Sequence, residues 1–449
     1  MTISKRLRFI YWFLRDLARR YRRALFFGFI GGLVVTLVVG RLAPILLTPF
    51  TRTIERIAVV GEFSPSTLPV SIQKELSLGL TTLASDGSAT AGIANSWNAQ
   101  EGGKQFTFTL SEKFWHNGKP VKASEINYNI RGVTLQAIDD HTVQATLPEP
   151  YSPFPSLVSK PILQVGLLGM GSYKVEHLKL KGDKIDTLRL VPVKNPSFLA
   201  KEYHFYRTEA LAVLAYKRGD VDRIEDVSSR DLLPNWHQTT IRATVRYDRI
   251  VGIYFNMRGS ILQERNLRQA LAYAIPEFPE ESAFSPIPKT SWAYNDKVKQ
   301  FLYDEAQAKK MYEAVKLPDD FPGFTITTFP QYVDQANKIM EAWKKLGIPT
   351  KIKVANSVDQ DFEILLSAQD IPPDPDQYPF WHSKADTNIT GYTNLKIDKL
   401  LEDGRHEIDQ EKRKKIYADF QRVLVEDVPT IFLYHPKTYT IIRTTSLSQ

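Results

Sequence analysis

The longest unbroken apolar stretch of the chain covers residues 24–40, which hold no charged side chain. Beyond Arg41 a second apolar piece, 42–47, extends it to the roughly 20 residues that a bilayer-spanning helix needs. From about residue 51 the pattern becomes that of a globular protein. After a short polar tether, residues 56–60 read as a first strand. At 105–110, Phe106, Phe108 and Leu110 alternate with polar residues, the period of a half-buried strand. Residues 142–147 repeat that alternation before Pro148 and Pro150 break it, and 187–191 and 251–255 are further predicted strands.

Helical spacing takes over in the second half. Leu267, Ala270, Leu271 and Ala274 share one face. Asp304 followed by Gln307 predicts a capped helix start, with Ala308, Met311 and Val315 inward. Tyr332, Ala336, Ile339, Trp343 and Leu346 mark another amphipathic face, closed by Gly347. Asp409 is expected to cap a long last helix that buries Ile416, Phe420, Val423 and Leu424, before Pro429 stops it and 430–434 returns as a strand. The pattern predicts a mixed α/β chain with no internal repeat. About 400 residues beyond the apolar run are too many for one core, so two or three domains are expected.

Charge adds the orientation. Lys5, Arg6, Arg8, Arg15, Arg19, Arg20, Arg22 and Arg23 precede the apolar run against a single anion, Asp16. That bias predicts a cytoplasmic basic segment over 1–23, an uncleaved transmembrane anchor over 24–47, and a binding domain facing the outside. Gly28 and Gly32 form a weak GxxxG pair within it. Those first 23 residues carry +7 of the net +8, so the rest is nearly neutral and has no basic field for nucleic acid. The chain has no cysteine, which excludes disulfides and a cysteine-linked lipid.

Catalytic motifs are missing. There is no G-x-S-x-G elbow, no H-E-x-x-H site, no thiol and no phosphate-cradling glycine loop. The eight histidines never fall at metal-ligand spacing, and acid pairs such as Asp139 and Asp140 sit in turn-like contexts. No cofactor, metal or enzyme activity is expected. Aromatic residues in turn-rich loops stand out instead, at Trp115-His116-Asn117-Gly118 and Tyr378-Pro379-Phe380-Trp381. Such side chains serve binding clefts or interdomain packing.

Several segments, in order, carry a family pattern. Trp97 precedes the strand at 106–110, then Phe114-Trp115-His116-Asn117-Gly118-Lys119-Pro120 and a predicted helix start at Ser124 and Glu125. Gly169-Met170-Gly171, the turn at 217–222, Tyr254-Phe255-Asn256 and the run Asn266-Leu267-Arg268-Gln269-Ala270 follow. Trp292-Ala293, Tyr303-Asp304, the turn at 346–348 and Pro373-Asp374-Pro375 complete the series. Over about 56–445 the chain thereby resembles the extracytoplasmic solute-binding proteins, family 5, the substrate-binding proteins of peptide and nickel ABC transporters.

The resemblance implies an α/β, two-lobed periplasmic-binding-protein-like clamshell (type II, cluster C) with three domains, beside the N-terminal transmembrane helix. Domain I would be discontinuous, 51–75 with 185–250 and 428–449; domain II would span 76–184 and domain III 251–427. The link from Ile275 to Ser285 is shorter than the family pattern. The resemblance further implies a monomeric ectodomain that closes on a short peptide and delivers it to ABC permease subunits. In peptide-binding members an aspartate before the D-P loop pairs with the peptide amine, and Asp370 occupies the matching position. Trp381 is expected to wall the same pocket, with His382 and Ser383 beside it. Another solute, such as an oligosaccharide or a metal chelate, is the alternative ligand; a sensor ectodomain or a surface hydrolase are the alternative roles.

Overall fold

The computed structural model describes residues 54–195, 198–234, 236–259, 261–357 and 361–444, with Trp12, Arg15, Arg20, Tyr21 and Gly32. Among them no helix is long and apolar enough to cross a membrane. The anchor expected over 24–47 lies, Gly32 apart, outside the described residues. Two compact units are distinguished, 1–55 with 197–200 and 56–196 with 201–449, and the second holds nearly all of the described residues.

The strands of this second unit build three main sheets. In the first, of seven strands, Ile54–Val60 lies between Arg223–Val227, to which it is parallel, and Ala200–Tyr206. Lys437–Arg443 is inserted antiparallel between Arg223–Val227 and Thr239–Val245. The hairpin Tyr173–Lys181 and Lys184–Pro192 closes the other edge. The second sheet, of four strands, is local, running from Ala94–Gln100 to Thr142–Thr146. The third, of six strands, centres on Arg249–Phe255, flanked antiparallel by Ile364–Asp370 and Thr430–His435. Two consecutive strands joined by Pro436, Thr430–His435 and Lys437–Arg443, therefore enter different sheets.

The alternation read at 105–110 is the strand Gln105–Leu110, whose Phe106, Phe108 and Leu110 are buried against Phe154 and Trp115. Helices Arg265–Tyr273 and Val333–Lys345 lay Leu267, Leu271, Ile339 and Trp343 into one core with Val251, Ile253 and Phe255 of the central strand. The Asp304 carboxylate accepts the Gln307 amide proton at 2.9 Å and caps helix Glu305–Glu313. In the long helix Gln410–Asp427 the buried stripe is Arg413, Tyr417, Phe420, Gln421, Leu424 and Val425. Ile416 and Val423 are only half-buried, because two polar residues with internal partners take the inward face.

The helix expected at Ser124 and Glu125 is a single tight turn, Ala123–Glu125. The Tyr128 hydroxyl accepts the Leu80 amide proton and donates to the Val158 carbonyl, and Asn129 takes a left-handed conformation. These contacts hold the following chain out of a helix.

The glycine turn and the aromatic hairpin, far apart in sequence, meet in the fold. Gly118 turns the hairpin at φ +81°. The His116 amide donates to the Gly169 carbonyl at 2.8 Å, and His116 Nε2 donates to that of Gly171 at 3.0 Å. Both glycines lie against the end of helix Val70–Leu76, and a Cβ on Gly169 would stand 2.0 Å from the Leu76 carbonyl oxygen. Backbone cannot yield there as a flexible side chain would. Gly169→Ala is expected to lower stability by about 1–3 kcal/mol, in the range of overpacked cores; a urea-unfolding midpoint unchanged from the parent chain would refute the tight contact.

Candidate functional site

Strand Ile364–Asp370 pairs antiparallel with Arg249–Phe255, and the register sets Asp370 opposite Arg249. Arg249 Nε donates to Asp370 Oδ1 at 2.6 Å, although the carboxylate side chain is 76% exposed. Beyond the strand, Pro372, Pro373 and Pro375 cannot supply ladder donors, so the chain leaves the sheet. Asp374 and Asp376 then fold back on it. Asp374 Oδ1 accepts the Asp376 amide proton, and Asp376 Oδ1 accepts that of Tyr378, each at 3.1 Å.

Both carboxylates are buried and matched. Arg413 Nη2 and Nη1 donate to Asp374 at 2.8 and 3.2 Å. Arg405 grips Asp376 at 2.8 and 3.0 Å, with its guanidinium 3.9 Å from the centre of the Tyr378 ring. The Tyr151 hydroxyl donates to Asp376 Oδ2 at 3.3 Å. Burial disfavours the charged form of both arginines, but the facing aspartates more than offset it and hold their pKa values raised. Burial pushes the Tyr151 phenol up as well, keeping it a hydroxyl.

A cavity of about 660 Å³ opens in front of this segment. Asp370, Ile371, Pro373 and Phe380 form one wall; Val70, Lys74, Leu83, Tyr151, Leu157 and Lys160 form the other. Its size and largely apolar lining with a few charged groups match small-ligand sites. The walls touch at its margins. Ser152 donates from its amide to the Arg405 carbonyl at 2.7 Å, and the Trp292 amide donates to the Asp86 carbonyl at 3.0 Å. Gly87, at φ +84°, abuts the Pro373 carbonyl so closely that a Cβ would come within 2.4 Å of its oxygen. Past Tyr151 and Arg405, which border both, lies a second cavity of about 400 Å³.

Of the residues singled out in sequence, Asp370 lines the cavity and Trp381 and His382 do not. Trp381 is buried, its ring edge-on to Phe432 and its Nε1 donating to Gln377 Oε1 at 3.3 Å. His382 is also buried, stacked on Tyr378. Its Nδ1 accepts the Lys384 amide proton, so Nε2 carries the proton and faces Glu402 at 3.3 Å. Ser383 is tied to Asp398. The helix Tyr378–Trp381 thus turns Phe380, one residue earlier, toward the cavity. Lys74, Tyr151, Lys160 and Arg405 were not anticipated; apart from Tyr151 between Pro150 and Pro153, nothing local distinguishes them from surface residues. Among the described residues no cluster of three His, Cys, Asp or Glu is placed to hold a metal ion.

Mixed sheets thus surround an apolar cavity whose three aspartates are each paired with an arginine. The model of the bacterial extracellular solute-binding proteins, family 5 (middle region), matches residues 130–391. The chain belongs to this family, that of the substrate-binding proteins of peptide and nickel ABC importers. It is 25% identical over 414 residues to the probable D,D-dipeptide-binding periplasmic protein DdpA of Escherichia coli K12, covering 78% of this chain and 79% of that one. The oligopeptide-binding protein AppA of Bacillus subtilis, solved with a nonapeptide, superposes with a TM-score of 0.62 at 20% identity, over 87% of this chain and 94% of that one. NikZ of Campylobacter jejuni, solved with Ni(L-His), gives 0.66 at 21% identity over the same shares. These structural likenesses show the fold.

Proposed function

We propose that the chain is a non-catalytic, extracytoplasmic receptor that captures a short peptide in the 660 Å³ cavity and hands it to an ABC permease. The observation that carries the reading is the cavity itself, apolar on both walls and bordered by carboxylates whose charges are already matched. Asp370 meets the ligand as one half of an ion pair, and Trp381 and His382 brace the wall from behind. The proposed lobes follow the sheets. Domain I corresponds to the seven-stranded sheet, including the hairpin at 173–192, and domain II to the four-stranded sheet. Domain III corresponds to the six-stranded sheet; in this proposal Thr430–His435, expected in domain I from the sequence, moves to domain III, and 173–184, expected in domain II, moves to domain I. Contacts to both lobes favour the closed form, which is the signal a permease reads. Residues 24–47 anchor the monomer beside that permease and raise its local concentration.

Native mass spectrometry of the purified chain tests the reading. A co-purified set of short-peptide masses is expected. A chain carrying a sugar or a metal chelate, and taking up no peptide from a library, would overturn the peptide assignment.

A further inference from the structure

The cavity's charges do not balance once its ion pairs are counted. Each aspartate on its wall has an arginine of its own: Asp370 has Arg249, Asp374 has Arg413, and Asp376 has Arg405. The opposite wall adds Lys74, in the last turn of helix Val70–Leu76, and Lys160, shortly after helix Phe154–Leu157. Neither lysine has a carboxylate partner among the described residues, and both border the cavity with Val70, Leu83 and Leu157. Among the described residues the site therefore offers two unmatched cations and no unmatched anion.

We propose that this cavity selects a ligand with an apolar body and an anionic end group, received by Lys74 and Lys160, and that it requires no ammonium on the ligand. The inference rests on the cavity being the ligand site. Both lysines are exposed in the free chain; an apolar body seated against them removes part of that water, and a desolvated ammonium is costly unless an anion meets it. A ligand ammonium gains nothing comparable. At Asp370 it meets a carboxylate whose charge is already shared with a guanidinium held at 2.6 Å, in a site with two surplus positive charges.

The test uses tri-leucine in four forms, with free ends, N-acetylated, C-amidated and doubly blocked, each titrated calorimetrically into the full chain. N-dansyl-leucine, an apolar anion without an ammonium, is titrated by fluorescence as a non-peptide probe. N-acetylation is expected to change affinity by less than about threefold, and C-amidation to weaken it by about tenfold or more, the scale of a lost charge-assisted contact. In the double variant Lys74→Met, Lys160→Met, which keeps the aliphatic stems, acid and amide forms should bind within about threefold of each other.

Loss of binding on N-acetylation with amidation tolerated overturns the proposal and leaves peptide capture standing. An acid preference that survives in the double variant overturns the role of the lysines. Lysine-dependent binding of dansyl-leucine with no tri-leucine form bound supports the proposal and overturns the peptide reading. Binding of neither probe class overturns both.

Discussion

Arg268→Met should cost about 3–5 kcal/mol of folding stability, read as a lowered urea midpoint at unchanged slope, because it strips the partners from several buried carbonyls at once. Arg268 is 3% exposed, yet among the described residues no carboxylate forms an ion pair with it. Its guanidinium donates instead to main-chain carbonyls. Nη1 reaches Leu262 and Gln263, each at 2.8 Å; Nε reaches Val428 at 2.9 Å, and Nη2 reaches Asp427. The last two sit at the end of helix Gln410–Asp427, where unpaired carbonyls and the helix dipole favour a cation. Val428 there adopts a left-handed conformation, φ +50°, that a β-branched residue takes at a cost. Burial pulls the Arg268 pKa down to about 10, which leaves it charged at neutral pH. Arg268→Lys keeps the charge but not the fork, so it should recover less than half of the loss. A loss below about 1 kcal/mol for the methionine variant would show that water satisfies these carbonyls.

Asp374→Ala is expected to be comparably severe, about 3–5 kcal/mol, for a different reason. It strands Arg413, whose side chain is 6% exposed and packed against Trp292 and Tyr417. Adding Arg413→Leu should recover part of the loss, since an apolar pair tolerates this environment better than a lone charge. If the double variant is less stable than Asp374→Ala alone, the isolated cation is not the source of the damage. Asp374→Asn keeps the acceptor for the Asp376 amide and should fall between the two. Because Asp374 also lines the cavity, ligand retention should fall in the same order.

These two arginines also show where sequence reading stops. Phe106 and Phe108 declared their strand because alternate burial imposes a period of two. Asp304 and Asp409 declared their helix starts through local hydrogen bonds to Gln307 and Lys412. Arg413 and Gln421 were hidden because a polar residue reads as solvent-facing unless its partner is known, and Asp374 and Ala293 are far along the chain. Asp370 was singled out only through the family resemblance at the proline-rich loop after it, and its ion pair was hidden, since Arg249 is 121 residues away. The four-residue helix Tyr378–Trp381 is too short to display a periodic face. Only tertiary packing decides that Phe380, not Trp381, turns to the cavity. Lys74 and Lys160 resembled ordinary surface lysines because a cavity between distant segments leaves no periodic mark.

The consecutive strands Thr430–His435 and Lys437–Arg443 carry a consequence for how the protein folds. Each fills an interior place in a different sheet, the second beside the parallel pair that includes the first described strand. Neither sheet is complete until residues 430–443 have taken their places. Loop-closure entropy must be met over the stretch from residue 54 to residue 443 before those rewards arrive. A chain cut before residue 430 therefore loses an interior strand from both sheets at once, and is expected to complete neither.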